Sequence, residues 1–466
     1  MEAVLPCSRD AVVVVPGIMG SELVEVGSGR VLWGLADPRW YVSAWTSGGL
    51  LGLLGLSEQE RAGRYGRVAA RRLLRFPAFA PLLAGFAPYT AVLKGLRSVV
   101  WHPGAVAEFA YDWRLPVAHN GGVLAQFARR HLAAWRAHPE QVAARRADPD
   151  GDRLARLVLV AHSMGGLLAR HACQDGGLGG LVRATVTLGT PFFGAPTAVL
   201  LLGQGRGSPL PIPRARVRRL AVTLPGVYDL LPSYRCVSDG PSARRLTASD
   251  VVGVGADGEL AAASFASRKR VSAPPQGHVQ VVGTHQPTVQ AVTIEAGTVS
   301  GHRYTYRRGG QGVARVDAGG DGTVPRESAQ LPPDSAMPLA QSHGALASSA
   351  EAVEVVRDVV TDRRSGPWQG VGQLGLDVPD MVGAGQPYWV GITGVERPTD
   401  VRCAVFDVGS GLRVDTPVVG RRDGAVMAQA QPLPPGLYQV RIDGGGTSPV
   451  TQILMSTPEP DRDAEG

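Results

Sequence analysis

Leu157-Val158-Leu159-Val160-Ala161-His162-Ser163-Met164-Gly165-Gly166-Leu167-Leu168-Ala169-Arg170 passes from an apolar, Val-rich run through a small-x-Ser-x-Gly turn into helix-forming residues. A strand, a sharp turn and a helix in that order form a nucleophile elbow, which lifts the serine Oγ clear of the backbone at a helix N-terminus. The pattern points to acyl transfer from Ser163. A chain with 61 Gly in 466 residues also produces such strings by accident, and Ala340-Gln341-Ser342-His343-Gly344 comes close to one. That second string follows Pro338 and has no expected strand before it, so Ser163 is the candidate nucleophile.

Working outward, Ala11-Val12-Val13-Val14-Val15 reads as a buried strand ending in the loop Pro16-Gly17-Ile18-Met19-Gly20-Ser21. From Glu22 to about Val100 no α/β alternation is visible. Trp33, Trp40 and Trp45, the apolar Leu50 to Leu56 and a Pro-punctuated Phe76 to Leu83 read as an insertion, about 25–100, covering the site. Further strands are expected at Ala105 to Tyr111, Ala184 to Leu188 and Val279 to Gly283, with helices at 121–137 and Ala345 to Val360. A polar loop is expected from Arg145 to Arg153, and an irregular region from about 197 to 275. Strands alternating with helices imply an α/β fold with a mainly parallel sheet, residues 1–366. From about Gly372 short alternating strands with Gly and Pro turns imply a small β-sandwich over 372–456, followed by a disordered polar tail, 457–466.

A serine hydroxyl needs a base, and the base an acid that fixes its tautomer. In an α/β hydrolase the acid and then the histidine follow the serine in chain order. Asp321 in Gly320-Asp321-Gly322-Thr323-Val324-Pro325 and His343, ahead of the last expected helix, meet that order. Asp317 is the alternative acid. His278, His285 and His302 rank below His343 because no helix follows them, and His162 reads as a hydrogen-bonding elbow residue. An oxyanion hole needs two backbone donors. Met164, directly after the serine, and Ile18, in the loop after the first strand, are the candidates.

Composition limits the remaining choices. No run of about 18 apolar residues is present, so no transmembrane helix is expected, and Met1 to Cys7 leaves no room for a signal peptide. Four scattered cysteines have no metal-ligand spacing and suit a reducing cytoplasm. The net charge of +7 rests on arginine. Arg71, Arg72 and Arg75, and Arg214, Arg216, Arg218 and Arg219, alternate with apolar residues rather than stacking aromatics, which suits a phospholipid surface and not nucleic acid. No metal or organic cofactor is implied.

Five segments together resemble the lecithin:cholesterol acyltransferase and lysosomal phospholipase A2 family of α/β hydrolases. They are Val15 to Leu23, Tyr111-Asp112-Trp113-Arg114-Leu115, Ala161 to Gly166, Leu188-Gly189-Thr190-Pro191-Phe192-Phe193-Gly194, and Gly320 to Pro325 followed by Ser342-His343-Gly344. The resemblance implies a serine lipid acyl hydrolase or acyltransferase acting on glycerophospholipids or related lipids. It implies Ser163, Asp321 and His343 as triad and Ile18 and Met164 as oxyanion donors. It further implies a membrane-binding element within 25–100, an amphiphilic lid at about 197–220 that includes Val199-Leu200-Leu201-Leu202, and a structural Asp112–Arg114 pair. The family's secreted members carry signal peptides and disulfides, and this sequence has neither feature. Expected partners are a lipid substrate, a peripheral membrane surface and a protein docking on the sandwich. The alternatives are an interaction module with a gated hydrolase core and an esterase for soluble esters.

Overall fold

The computed structural model describes residues 7–34, 52–74, 89–147, 153–206, 214–270, 273–309, 312–332, 336–363, 373–379, 381–444 and 449–457. Six parallel strands form the main sheet: β1 (Ala11–Val15), β2 (Val106–Glu108), β3 (Leu157–His162), β4 (Val182–Leu188), β5 (His278–Gly283) and β6 (Met337–Leu339). Their spatial order is β6-β5-β4-β3-β1-β2. β1 and β3 are buried at every position, so both faces of the sheet are covered. Helix α1 (Thr90–Arg97) packs on α4 (Ala350–Val360), and α2 (Val117–Ala137) packs on α3 (Met164–Gln174). The chain runs from β1 to β2 on one side and then returns to β3 on the other. That reversal is a topological switch point, where loops leave the C-terminal strand ends in opposite directions and open a crevice.

The insertion after β1 is more ordered than its sequence suggests. Ser21–Glu25, Val31–Trp33 and Val68–Leu73 form a three-stranded antiparallel sheet. Trp33 is core, not surface; its indole N–H donates to the Met19 carbonyl and its ring meets Trp113 edge-on. Leu54 and Leu56 are likewise buried. Trp40, Trp45, Leu50, Leu51 and Phe76 to Leu83 lie outside the described residues.

The region expected to be irregular up to 275 is largely helical, with Pro196–Gln204, Arg214–Ala221, Ala248–Gly253 and Gly258–Arg270. Val199 to Leu202 are buried and pack against the strand Thr298–His302, so this part of the expected lid is core. Residues 207–213 lie outside the described residues. Three of the clustered arginines are engaged: Arg71 and Arg72 both bind Glu22, and Arg218 donates to the Leu202 carbonyl, while Arg214 and Arg219 are exposed and Arg75 lies outside the described residues. The polar loop expected from Arg145 begins as helix Pro139–Ala147. Two further readings change: Pro338 lies within edge strand β6, and a 3-10 turn at Gly344–Ala347 precedes α4, whose N-cap is Ser349. An edge strand tolerates proline because the ladder loses only one donor.

The C-terminal region has its own hydrophobic core. One sheet contains β7 (Gly375–Asp377), β9 (Tyr388–Thr393), β12 (Val419–Arg422) and β13 (Ala425–Ala430). The other contains β8 (Met381–Gly383), β10 (Val401–Asp407), β11 (Arg413–Asp415), β14 (Gly436–Gly444) and β15 (Val450–Thr457). Val390 and Ile392 from the first face Cys403, Val440 and Leu454 from the second. The tail from Pro458 on lies outside the described residues.

Candidate active site

Ser163 joins β3 to α3 with φ 52 and ψ −127. A positive φ in a non-glycine residue is strained, by about 1–3 kcal/mol, and persists only where the surroundings over-determine it. Here the Ser163 N–H donates to Leu188 O at 2.9 Å, while the Ser163 carbonyl accepts from Gly166. The hydroxyl therefore projects beyond the sheet edge at the head of the helix.

Ser163 Oγ lies 2.8 Å from His343 Nε2, and His343 Nδ1 lies 2.7 Å from Asp321 Oδ2. These partners assign the tautomer: Nδ1–H donates to the carboxylate, leaving Nε2 to accept the serine proton. Asp321 is almost fully buried, and its other oxygen accepts the backbone N–H groups of Thr323 at 2.9 Å and Val324 at 2.7 Å. His343 N–H donates to Asp321 O at 2.8 Å, so acid and base are joined by backbone as well as side chain. The competing residues are occupied elsewhere. Asp317 accepts from Gln290, while His278, His285 and His302 each lie against a threonine hydroxyl.

Met164 N–H is the first amide of α3, and Ile18 N–H lies in the loop after β1; neither donates to another group among the described residues. Gly17 is needed for proximity rather than for a turn. A Cβ there would stand 2.9 Å from Ser163 Cβ, and the loop's positive φ falls on Met19 instead.

One polar chain behind the site joins the motif residues Gly17, His162 and His343 through Tyr89, which lies in none of the motifs, and gives His162 the hydrogen-bonding role expected of it. Gly17 N–H donates to Tyr89 Oη at 2.8 Å, Tyr89 Oη meets His162 Nδ1 at 3.1 Å, and His162 Nε2 meets the His343 carbonyl at 3.0 Å. With Tyr89 donating to Nδ1, the imidazole of His162 donates from Nε2. The chain thus links the loop carrying Ile18 to the backbone of His343. Burial, reinforced by the nearby His343, pushes the His162 pKa down to about 3, so its ring is neutral. Burial raises the Tyr89 phenol well above its ordinary value, which keeps its proton in place. Tyr111 donates to Pro16 O and fixes the loop from the other side.

Arg114 is fully buried; it bonds Asp112 at 2.9 and 2.7 Å, Glu60 at 2.7 Å and the Leu54 carbonyl at 2.9 Å. Glu60 extends the expected Asp112–Arg114 pair and ties the insertion to the exit of β2.

Residues 80–243 match the family described as lecithin:cholesterol acyltransferase. The chain has an α/β-hydrolase fold and is similar to that family over this stretch, less than half of its length. No similar sequence is found among functionally curated proteins. Among solved structures, the Tle4–Tli4 complex is similar at 16% identity and TM-score 0.48, covering 76% of this chain and 98% of that one. Bacillus licheniformis lipase BlEst2 in its mature form is similar at 14% identity and TM-score 0.35, covering 77% and 95%.

Proposed function

We propose that the protein is a serine acyl hydrolase or acyltransferase that cleaves ester bonds of glycerophospholipids or related lipids through an acyl-enzyme. The observation that carries this reading is the continuous hydrogen-bonded line from Ser163 Oγ through His343 to Asp321, with spacings of 2.8 and 2.7 Å. In the first step Ser163 Oγ bonds to the ester carbonyl carbon while its proton passes to His343 Nε2. The Ile18 and Met164 N–H groups receive the developing oxyanion, each worth about 2.7–4 kcal/mol in the transition state. Asp321 holds the imidazolium, which then protonates the departing alcohol as the carbonyl re-forms. Water or an acceptor alcohol, deprotonated by His343, resolves the acyl-enzyme.

Attachment to the surface of a membrane is part of the proposal, since the substrate is a bilayer component. Among the described residues no helix is long and apolar enough to cross a membrane. Cys173, Cys236 and Cys403 are buried free thiols, which supports a reducing, cytoplasmic setting.

Ser163→Ala is expected to abolish fatty-acid release from mixed phospholipid vesicles, a loss of about 10⁴-fold or more, without changing the melting temperature substantially. Fatty-acid release at the wild-type rate by that variant would refute the assignment.

A further inference from the structure

The loop that holds His343, and the segment after β5 that supports the Asp321 loop, rest on the C-terminal sandwich. Gln286, three residues past β5, is 4% exposed. Its backbone N–H donates to Gly320 O at 3.0 Å, and it bridges to both Gly320 and Asp321. Its side chain turns the other way: Nε2–H donates to Leu374 O at 2.8 Å and Oε1 accepts from Leu376 N at 3.1 Å. One amide thus pairs with the edge of β7 as a strand would, and both leucines are buried.

The fit is close at this point. A Cβ on Gly375, between the two leucines, would collide with the His285 carbonyl and with Thr393 Oγ1. A second tether leaves the base loop, where Ser342 Oγ donates to Thr451 O at 3.2 Å. The base loop is bound to the sandwich by its own Ser342, the acid loop through its backbone bridge to Gln286, and the two loops to one another by His343 N–H and Asp321 O. The Arg303–Asp377 ion pair also crosses the junction, but it is exposed and contributes little.

We propose that Gln286 is a positioning residue that couples the sandwich to the Asp321–His343 pair, making the sandwich a working part of the catalytic apparatus. This rests on the triad reading above. A triad loses about 100-fold in rate for a misplacement near 1 Å. Both loops lie outside the named strands: the acid loop is held by its backbone bridge to Gln286, whose side chain holds the sandwich.

The test uses the full chain and a soluble p-nitrophenyl butyrate substrate, so that membrane contact does not enter. Gln286→Met keeps the buried volume and removes both hydrogen bonds; kcat is expected to fall by about tenfold with KM within about twofold. Gly375→Ala, made from the sandwich side, is expected to give the same split. A structural role alone would lower the melting temperature and leave kcat of the folded protein intact. A kcat within about twofold of wild type in the folded variants overturns the proposal. If neither variant folds, Ser342→Ala removes a single hydroxyl and decides the matter: a fall of about threefold or more in kcat supports the coupling, and a smaller change overturns it. Ser163→Ala, measured in parallel, separates the two failures. Activity there sinks the triad reading, whereas an inert Ser163→Ala beside an unimpaired Gln286→Met sinks only the coupling.

Discussion

Strand β3 of the hydrolase core is buried at all six positions, whereas β9 of the sandwich alternates buried residues with half-buried or exposed ones from Tyr388 to Thr393. The first pattern belongs to a sheet covered on both faces, the second to a sheet with one face in solvent. Parallel strands end together at one edge, and at that edge the chain gathers Ser163, Asp321, His343 and the Ile18 loop. The sandwich spends its loops on hairpins and gathers no comparable set of groups. It touches the site through backbone acceptors and a backbone N–H that receive Gln286 and Ser342.

The largest expected effect separates the two regions outright. Asp321→Asn is expected to lower kcat by about 10³–10⁴-fold with little loss of stability, because the tautomer and charge of the base are lost. Leu454→Ala, fully buried in the sandwich, is expected to cost about 2–5 kcal/mol while kcat of the folded protein stays within about threefold. Denaturant titration and steady-state kinetics on both variants check the pair. Equal losses of activity would erase the distinction.

A smaller effect sharpens the hydrolase side. Tyr89→Phe removes the hydroxyl between Gly17 N–H and His162 Nδ1, and kcat is expected to fall by about tenfold with KM little changed. Wild-type kcat in that variant would show the polar chain to be packing only.

Acid should act on one region first. The folded-state pKa values of His162 and His278 are pushed down to about 3 and about 4, both chiefly by burial. In the unfolded chain these rings take up protons near their ordinary value, so the unfolded state binds more protons between about pH 6.5 and pH 4. Stability is therefore complete above that window and falls as pH drops through it, by at most about 1.4 kcal/mol per pH unit for each ring. All ten histidines precede the sandwich. Hydrogen exchange is expected to show the hydrolase core losing protection before the sandwich as pH falls, and His162→Gln is expected to reduce that loss. A sandwich that opens first would contradict this.

Legibility followed the same division. Ala11–Val15 and the β3-turn-α3 segment were readable because full burial leaves an unbroken apolar run that ends in turn residues. Asp321 and His343 were readable because chain order and flanking glycines mark loops at strand ends. The three-stranded sheet after β1 was not, since Val68–Leu73 pairs with Ser21–Glu25 across more than 40 residues and local alternation is weak. Pro196–Gln204 hid because an almost wholly apolar helix carries no helical period. Pro338 masked β6 by marking a break where the edge of a sheet accepts one. Tyr89 and Gln286 left no motif, because the side-chain partners through which they act lie 72 and 73 residues away for Tyr89 and 88 and 90 for Gln286. The nearest signal was the polar alternation Gln286, Thr288, Gln290, all three buried.

The most direct test of the account is covalent labelling of the intact protein with a fluorophosphonate, read by peptide mass spectrometry. The account predicts one adduct, on Ser163, abolished in Ser163→Ala and slowed by about 10³-fold in His343→Ala. Labelling of another serine, or Ser163 labelling at an unchanged rate without His343, would contradict it.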